Sequence, residues 1–137
     1  MSEENVEIVR LTMRAEASRD TATLYRLIDP DVEMELADSP FGDFAEFEPL
    51  RGQEEVQAGF RDWYAAFDGV EAVASELIDL GDQVISVFTY RARGRTSGVA
   101  VEFKDMAGLW TIREGKIVRL QWLRSRRAAL EAAGLSE

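Results

Sequence analysis

The chain contains no cysteine and no histidine. Without cysteine there is no disulfide, no thiolate nucleophile and no zinc–thiolate or iron–sulfur site. Without histidine the usual imidazole base is missing, and a Ser-His-Asp triad is excluded within one chain. Proton transfer is therefore left to Asp, Glu, Tyr, Lys or water, and the sequence predicts no metal site and no cofactor.

Basic residues are also few: 16 Lys and Arg stand against 26 Asp and Glu, a formal net charge of −10. This balance argues against a nucleic-acid partner, because phosphate binding needs a concentrated basic surface. It also argues against docking on an anionic membrane. No apolar run approaches the 18 residues of a membrane span, and the first residues do not resemble a signal peptide, so we expect a cytoplasmic protein.

The length of 137 residues predicts one domain over 1–137. Helical spacing of apolar residues predicts a first helix from the amino terminus, a short second helix capped by Asp20 and ended near Pro30, and an amphipathic third helix running from Gly52 to Phe67. A strand over 32–36 lies between the second and third helices. The intervening segment 38–52 reads as a loop that carries three phenylalanines.

After Gly69 the apolar period changes to two, which predicts strands over 71–80, 83–93, 99–112 and 116–123, joined by hairpin turns. A closing helix is predicted from a Ser125 cap to Gly134. This order predicts an α+β fold, a cone-shaped barrel of a curved, mostly antiparallel mixed sheet wrapped around the three helices of the amino-terminal half, with a short carboxy-terminal helix. The apolar floor of such a cone is a natural ligand site.

Several short segments in this order resemble the SnoaL-like, polyketide cyclase-like family of the nuclear transport factor two-like superfamily. They are Glu4-Asn5-Val6-Glu7, Arg19-Asp20, Leu27-Ile28-Asp29-Pro30-Asp31-Val32, Arg51-Gly52 and Gly115-Lys116-Ile117-Val118-Arg119. The resemblance covers nearly the whole chain. It implies the cone fold, usually a homodimer packed through the outer sheet faces, and either cyclase or isomerase chemistry or non-catalytic binding.

The catalytic residues of the known enzymes with this fold are absent at the positions that match. The base of ketosteroid isomerases corresponds to Leu36, and their oxyanion-hole residues correspond to Thr12 and Gly108. The His and Asp of the polyketide cyclases fall near Gly108 and Trp122. The resemblance therefore leaves catalysis open.

Two carboxylates are candidates for acid–base chemistry. Asp38 would share the inner face of the strand with Val32, Met34 and Leu36 and point toward the cone mouth, although Asp38-Ser39-Pro40 is also an ordinary turn opener. Glu16 lies near the apolar stripe of the first helix, where a carboxylate needs a partner or a wet cavity; pairing or solvent exposure is the alternative.

Apolar and aromatic side chains are predicted to line the pocket, with Arg124 at its rim as a contact for a ligand carboxylate. The predicted lining residues are Met34, Leu36, Phe41, Phe44, Trp63, Met106, Gly108, Trp110, Leu120 and Trp122, of which Gly108 is expected to widen the cavity. The alternative for the tryptophans is that they simply fill the core.

Two functions follow from these residues. The first is binding of a small apolar or ring-shaped molecule in the pocket, with or without isomerase- or cyclase-type acid–base chemistry by a carboxylate. The alternative is a structural or dimerisation module with a filled cavity, in which Val87, Thr89, Ile117 and Arg119 of the outer sheet face would be buried between two chains.

Overall fold

The computed structural model describes residues 2–43 and 46–135. The helices are α1 (Ser2–Ser18), α2 (Thr21–Leu27), α3 (Gly52–Ala66) and α4 (Arg126–Ala132). The strands are β1 (Ile28–Glu35), β2 (Leu50–Arg51), β3 (Phe67–Asp79), β4 (Gln83–Gly94), β5 (Ala100–Arg113) and β6 (Lys116–Leu123). A short 3-10 turn, Pro40–Asp43, lies between β1 and β2.

Side-chain caps define two helix starts where the sequence predicts them. The Asp20 carboxylate accepts a hydrogen bond from the Thr23 backbone N–H at 3.2 Å, and the Ser125 hydroxyl accepts one from Ala128 at 3.1 Å. These bonds satisfy donors that the first helical turn leaves free.

Two predicted helix ends are wrong, and the end of the third helix is wrong by one residue. α2 ends at Leu27, so Ile28 and Pro30 belong to β1. Pro30 is tolerated there because the register between β1 and β6 shifts between Ile28 and Glu33, where a missing backbone donor breaks no regular ladder. Phe67, expected in the third helix, is the first residue of β3, because α3 ends at Ala66.

The sheet has the strand order β2-β1-β6-β5-β4-β3. β3 to β6 form an antiparallel meander, β1 pairs with β6 in parallel, and β2 pairs with β1 antiparallel. Register shifts interrupt these ladders, and opposite the shift between Phe88 and Tyr90 the non-glycine residue Asp105 has a φ of 55°. Bulges of this kind bend and twist a sheet. The predicted α+β cone with a mixed, mostly antiparallel sheet is confirmed.

The two faces of the sheet are covered by different helices. Val84 and Met34 of the inner face pack with Val9 of α1 and Val56 of α3, all of them buried. On the opposite face, Ile85, Val87, Ala107 and Leu109 pack with Ala129 and Leu130 of α4. α4 therefore closes part of the outer face and leaves the inner face to the other helices.

This arrangement corrects the expected dimer surface at two positions. Val87 is buried beneath α4, and Ile117 is buried in the inner core with Ile28 and Ile112. Both side chains are already covered within one chain. Thr89 and Arg119 remain partly exposed, and Arg119 pairs with Glu35 at 2.8 Å.

Candidate functional site

The inner face of the sheet and the helices border an open cavity of about 300 Å³, which we call the main cavity. Its volume is at the lower end of the range typical for small-molecule sites. Side chains from α1, β1, the 3-10 turn, α3, β4 and β6 surround it. The lining residues are Glu16, Met34, Leu36, Phe41, Phe47, Leu50, Val56, Gly59, Phe60, Asp62, Trp63, Ala66, Tyr90 and Trp122.

Aromatic rings in mutual contact form one wall of the main cavity. Phe41 packs edge-on against Trp63 and Tyr90, with ring centroids 5.0 and 5.2 Å apart, and Trp63 stacks on Phe67 at 4.4 Å. The Trp63 indole N–H donates a hydrogen bond to the Tyr90 hydroxyl oxygen at 2.5 Å. The surface of this wall is therefore mainly apolar, and the Tyr90 hydroxyl is fixed by its hydrogen bond from the Trp63 indole.

Glu16 contributes a carboxyl group to this apolar space. It lies on α1 and is partly buried, and the Tyr64 side chain hydrogen-bonds to it. Burial raises the pKa of Glu16 from 4.5 to about 7, and the hydrogen bond from Tyr64 opposes this rise. Burial and the nearby Glu16 charge also raise the pKa of the Tyr64 phenol, which therefore remains a donor. Glu16 was expected to need either a polar partner or a cavity, and it has both: it hydrogen-bonds with Tyr64 and lines the main cavity.

A second cavity of about 210 Å³ shares Glu16 and Trp122 with the main cavity, since both residues line both spaces. It is lined also by Arg19, whose guanidinium carbon lies 4.2 Å from the centroid of the Tyr64 ring. Burial raises the pKa of Tyr90 in the main cavity, and the charge on Glu16 contributes to this rise. Glu16 therefore acts electrostatically on phenols of both cavities.

The expectation that Asp38 points into the cone is wrong. β1 ends at Glu35, and Asp38 is an exposed turn residue outside the lining of the main cavity. The strand alternation that would have directed it inward stops before this residue. Ser39 is buried instead, and its hydroxyl donates to the Leu36 carbonyl at 2.6 Å. The turn-opening interpretation of Asp38-Ser39-Pro40 is the one that the structure follows.

Arg124 is likewise outside the cavity. It follows the end of β6 and is exposed, and its two guanidinium nitrogens donate to Asp43 at 2.9 and 2.5 Å. This pair lowers the pKa of Asp43 and ties the 3-10 turn to the junction of β6 and α4. Arg124 holds a protein carboxylate rather than lying at the rim for a ligand.

The predicted lining residues divide between cavity and core. Met34, Leu36, Phe41, Trp63 and Trp122 line the main cavity. Met106, Trp110 and Leu120 do not; they are buried in the packed core, with Trp110 1% exposed. Phe44 lies outside the described residues. For Met106, Trp110 and Leu120 the core-filling alternative is correct, because they lie where neighbouring side chains meet without a gap.

Gly108 does not widen the cavity. A Cβ atom there would approach the Trp110 indole nitrogen to 3.0 Å, the Ser86 hydroxyl to 3.1 Å and Trp122 to 3.4 Å. The absent side chain makes room for the buried hydrogen bond from the Trp110 indole to the Ser86 hydroxyl, which is 2.9 Å long. Thr12 is the other residue that the resemblance matched to an oxyanion-hole position. Its hydroxyl donates a hydrogen bond to the Ile8 carbonyl at 2.7 Å.

Several lining residues are not among the predicted ones. They are Phe47, Leu50, Val56, Gly59, Phe60, Asp62, Ala66 and Tyr90. The amphipathic stripe of α3 contains Val56 and Phe60, so helical periodicity could have identified these two. Tyr90 and Phe88 lie two residues apart on the inner face of β4, so the alternation of the strand places both inside. Only the hydrogen bond from Trp63 to the Tyr90 hydroxyl distinguishes Tyr90 from an ordinary core tyrosine.

No group of three or more potential metal ligands occurs within residues 2–43 and 46–135. In the same part of the chain, no helix has the length and apolar character needed to span a membrane.

Comparison with known proteins places this geometry in a family. The family model for the SnoaL-like domain matches residues 9–120. An uncharacterized protein of Mycobacterium tuberculosis is 34% identical over 130 residues, which are 93% of this chain and 94% of that protein. The crystal structure of an NTF2-like protein from Burkholderia thailandensis is 29% identical, has a TM-score of 0.74, and the match covers 86% of this chain and 88% of that one.

A further structure shares the fold at lower identity. TerC, co-crystallized with polyporic acid, is 22% identical with a TM-score of 0.74, and the match covers 93% of this chain and 96% of TerC. The family match spans more than half of the sequence and agrees with the cone architecture. The chain therefore belongs to the SnoaL-like domain family of NTF2-like proteins.

Proposed function

We propose that this protein binds a small, largely apolar, ring-shaped molecule in the main cavity, where Glu16 contacts it and exchanges a proton with it if the molecule is a substrate. The observation that carries the proposal is the position of Glu16: a partly buried carboxyl residue that lines a cavity whose other walls are mainly apolar and aromatic, with the exposed Asp62 as the other carboxylate among the described lining residues. A ligand that fills this space replaces water beside the carboxyl and gives it a polar partner.

The shape and chemistry of the lining support a ring-shaped ligand. The rings of Phe41, Trp63 and Tyr90 offer flat apolar surfaces, and such rings contact other rings favourably at centroid distances of about 4.5–7 Å. The alternative of a structural module requires a filled cavity, whereas the space between these side chains amounts to about 300 Å³. This volume supports binding over the purely structural alternative.

Of the two candidate carboxylates, Glu16 is the one that we propose for acid–base chemistry. A carboxyl with a pKa of about 7 is present in both protonation states near neutral pH, so it can accept a proton or donate one. The Tyr64 side chain, which lines the second cavity, hydrogen-bonds to the carboxyl, and Tyr90 offers a phenol in the main cavity to a ligand oxygen or nitrogen. Isomerase- or cyclase-type proton transfer by Glu16 is the form of catalysis that we propose if the ligand is a substrate.

Two further expectations belong to this proposal: a cytoplasmic location and a homodimer through the outer sheet face. Val73 of β3 is 54% exposed and pairs with Thr89 of β4. This pair lies on the side of the sheet opposite to Ala72 and Tyr90, outside the apolar cluster that α4 covers. It is therefore the part of the outer face that we propose a second chain covers.

Calorimetric titration with ring-shaped probes tests the binding proposal. We suggest 2-tetralone, 2-naphthol and polyporic acid, the last because it was co-crystallized with TerC. We expect saturable binding of at least one probe with one site per chain. A probe at about 100 times its Kd should stabilise the fold by roughly 2.7 kcal/mol.

Two variants of α3 locate the bound probe. Ala66 lines the main cavity and Ala65 does not, although both are exposed and adjacent in the helix. We expect Ala66→Phe to weaken binding about tenfold or more, roughly 1.4 kcal/mol, and Ala65→Phe to leave the Kd unchanged. Equal Kd values for the two variants would remove the main cavity as the site, and a lack of saturable binding for every probe would overturn the proposed function.

A further inference from the structure

The ionisable side chains that line the main cavity are acidic or phenolic. Glu16, Asp62 and Tyr90 are among the described lining residues, and no lysine or arginine is among them. Asp62 is exposed, whereas Glu16 is the partly buried group. A cavity with this lining has no basic side chain to hold an anionic ligand and offers carboxylates to a cationic one.

Glu16 has no cation as a close partner within residues 2–43 and 46–135. The salt bridges found there include none to Glu16, and its hydrogen-bond partner is the neutral Tyr64. Arg19 lies over the Tyr64 ring in the second cavity. A buried carboxylate is strongly destabilising unless an opposite charge accompanies it. A cationic ligand would therefore supply the positive charge that the Glu16 carboxylate lacks.

The aromatic wall adds a second attraction for a cation. Cations are attracted to the faces of Trp, Tyr and Phe rings within about 6 Å, and the interaction is strongest at desolvated sites. Trp63, Tyr90, Trp122, Phe41 and Phe60 all line the main cavity together with Glu16. A ring-bearing amine would place its hydrocarbon part against these rings and its ammonium group against the carboxylate.

We infer that the ligand of the main cavity is a protonated amine attached to a ring, with its ammonium group paired to the Glu16 carboxylate. This inference rests on the proposed function and names the chemical class of its ligand. The ammonium group donates a charge-assisted hydrogen bond to Glu16, and the aromatic wall encloses the ring. Pairing with the ammonium group favours the ionised carboxyl.

The pH dependence of this pairing depends on the groups around Glu16. Those with charge or a titratable proton are Tyr64 on α3, Tyr90 on β4, Arg19 just beyond α1, and Asp62 at the edge of the cavity. β3 and β6 contribute the apolar side chains Val70, Ala72 and Trp122. Glu16 itself has a pKa that burial raises to about 7.

Three probes with one bicyclic skeleton separate the classes of ligand: 2-aminotetralin, 2-tetralone and tetralin. The amine is protonated at about pH 8, because alkyl amines titrate near the lysine value of about 10.4. At that pH we expect 2-aminotetralin to bind the wild-type protein about tenfold or more tightly than 2-tetralone, roughly 1.4 kcal/mol. From about pH 5.5 to 8 the amine should bind more tightly as Glu16 ionises, whereas tetralin should bind more weakly.

Glu16→Gln keeps the size of the side chain and removes its charge. We expect this variant to bind 2-aminotetralin and 2-tetralone with Kd values within about threefold of each other, less than 1 kcal/mol apart, so that the preference for the amine is lost. Asp62→Asn is the matched control at the same cavity, and it should keep most of the preference because Asp62 is exposed. The pH dependence of the wild-type protein is a readout that needs no variant.

Different outcomes overturn different statements. If 2-tetralone binds and 2-aminotetralin binds no more tightly at about pH 8, the inferred amine is wrong and the proposed function stands. An amine preference that persists in Glu16→Gln would also overturn the inference, because the attraction would then come from another group. If none of these three probes and none of the earlier probes bind, the proposed function fails as well.

Discussion

The Trp63 indole N–H donates a hydrogen bond to the Tyr90 hydroxyl oxygen at 2.5 Å and so connects α3 to β4 across one wall of the main cavity. Tyr90 is 8% exposed, and Trp63 is partly buried. The bond satisfies the one polar atom of the Trp63 side chain, which otherwise contacts aromatic neighbours. It also leaves the hydroxyl hydrogen of Tyr90 available as a donor, and donation by the indole strengthens that donor.

Tyr90→Phe should therefore destabilise the protein by about 1–3 kcal/mol, because the indole N–H is left without its acceptor in a largely apolar region. Urea denaturation measures the change in unfolding free energy. Tyr25→Phe is a matched control, since Tyr25 is a half-buried tyrosine outside the main cavity. Equal unfolding free energies for Tyr90→Phe and the wild type would show that this hydrogen bond does not stabilise the wall.

The raised pKa of Glu16 makes the stability of the fold depend on pH. Its carboxyl has a pKa near 4.5 in the unfolded chain and about 7 in the folded protein, so the folded state binds the proton more tightly. The unfolding free energy then falls as the pH rises from about 4.5 to 7, and the loss is complete above the folded pKa. The shift corresponds to a destabilisation on the order of 3 kcal/mol above pH 7.

Comparison with Glu16→Gln isolates this effect from the other carboxyls. Chemical denaturation at several pH values should show the variant gaining stability relative to the wild type as the pH rises through this window. Asp62→Asn provides the control for loss of a carboxylate at the same cavity. A difference between Glu16→Gln and wild type that stays constant with pH would contradict a raised pKa at Glu16.

Gly108→Ala tests the close packing beneath the cavity floor. The added methyl group would come within 3.0–3.4 Å of Trp110, Ser86 and Trp122, and we expect a loss of about 1–3 kcal/mol from overpacking. Thermal unfolding measures it, and tryptophan fluorescence reports whether the Trp110 environment changes.

Gly59→Ala is the matched control for the glycine substitution. Its Cβ would meet Leu50 Cδ1, the end of a flexible side chain, at 2.9 Å, and Gly59 lies inside α3, where alanine is favoured by about 0.8–1 kcal/mol. We expect Gly59→Ala to be neutral or stabilising. If both glycine variants lose the same stability, the specific crowding at Gly108 is not the cause.

Arg124→Ala should increase local motion in the 3-10 turn without unfolding the domain. The Arg124–Asp43 pair is exposed on both sides, and exposed pairs contribute little to global stability. It nevertheless anchors the turn whose Phe41 covers the aromatic wall. Hydrogen exchange should become faster at Phe41 and Gly42 in the variant and stay unchanged in β4. Unchanged exchange at Phe41 and Gly42 would show that the ion pair does not anchor the turn.

Much of the fold is determined locally, and the sequence reveals it. The spacing of apolar residues in α1 and α3, the caps Asp20 and Ser125, and the period of two after Gly69 each depend on residues close together in the chain. They were sufficient to predict the α+β cone and the order of its elements, except for the 3-10 turn and the two-residue strand β2, which lie in the segment 38–52 predicted as a loop. The boundaries that were wrong, at Ile28 and Phe67, lie where a helix passes directly into a strand without a loop.

The site depends on contacts between distant parts of the chain, which periodicity does not reveal. The side chains of Trp110 and Trp122 both lie on the inner face of the sheet, yet Trp110 is buried in the core and Trp122 lines the cavity. Of the two carboxylates predicted as acid–base candidates, Asp38 lies outside the cavity because β1 ends before that residue. Glu16 lines the cavity, with Tyr64 and Trp122 beside it. The sequence alone determined the fold because backbone and patterning preferences act over a few residues. Only the tertiary structure decided which carboxyl loses its water, because desolvation depends on every element that packs around it.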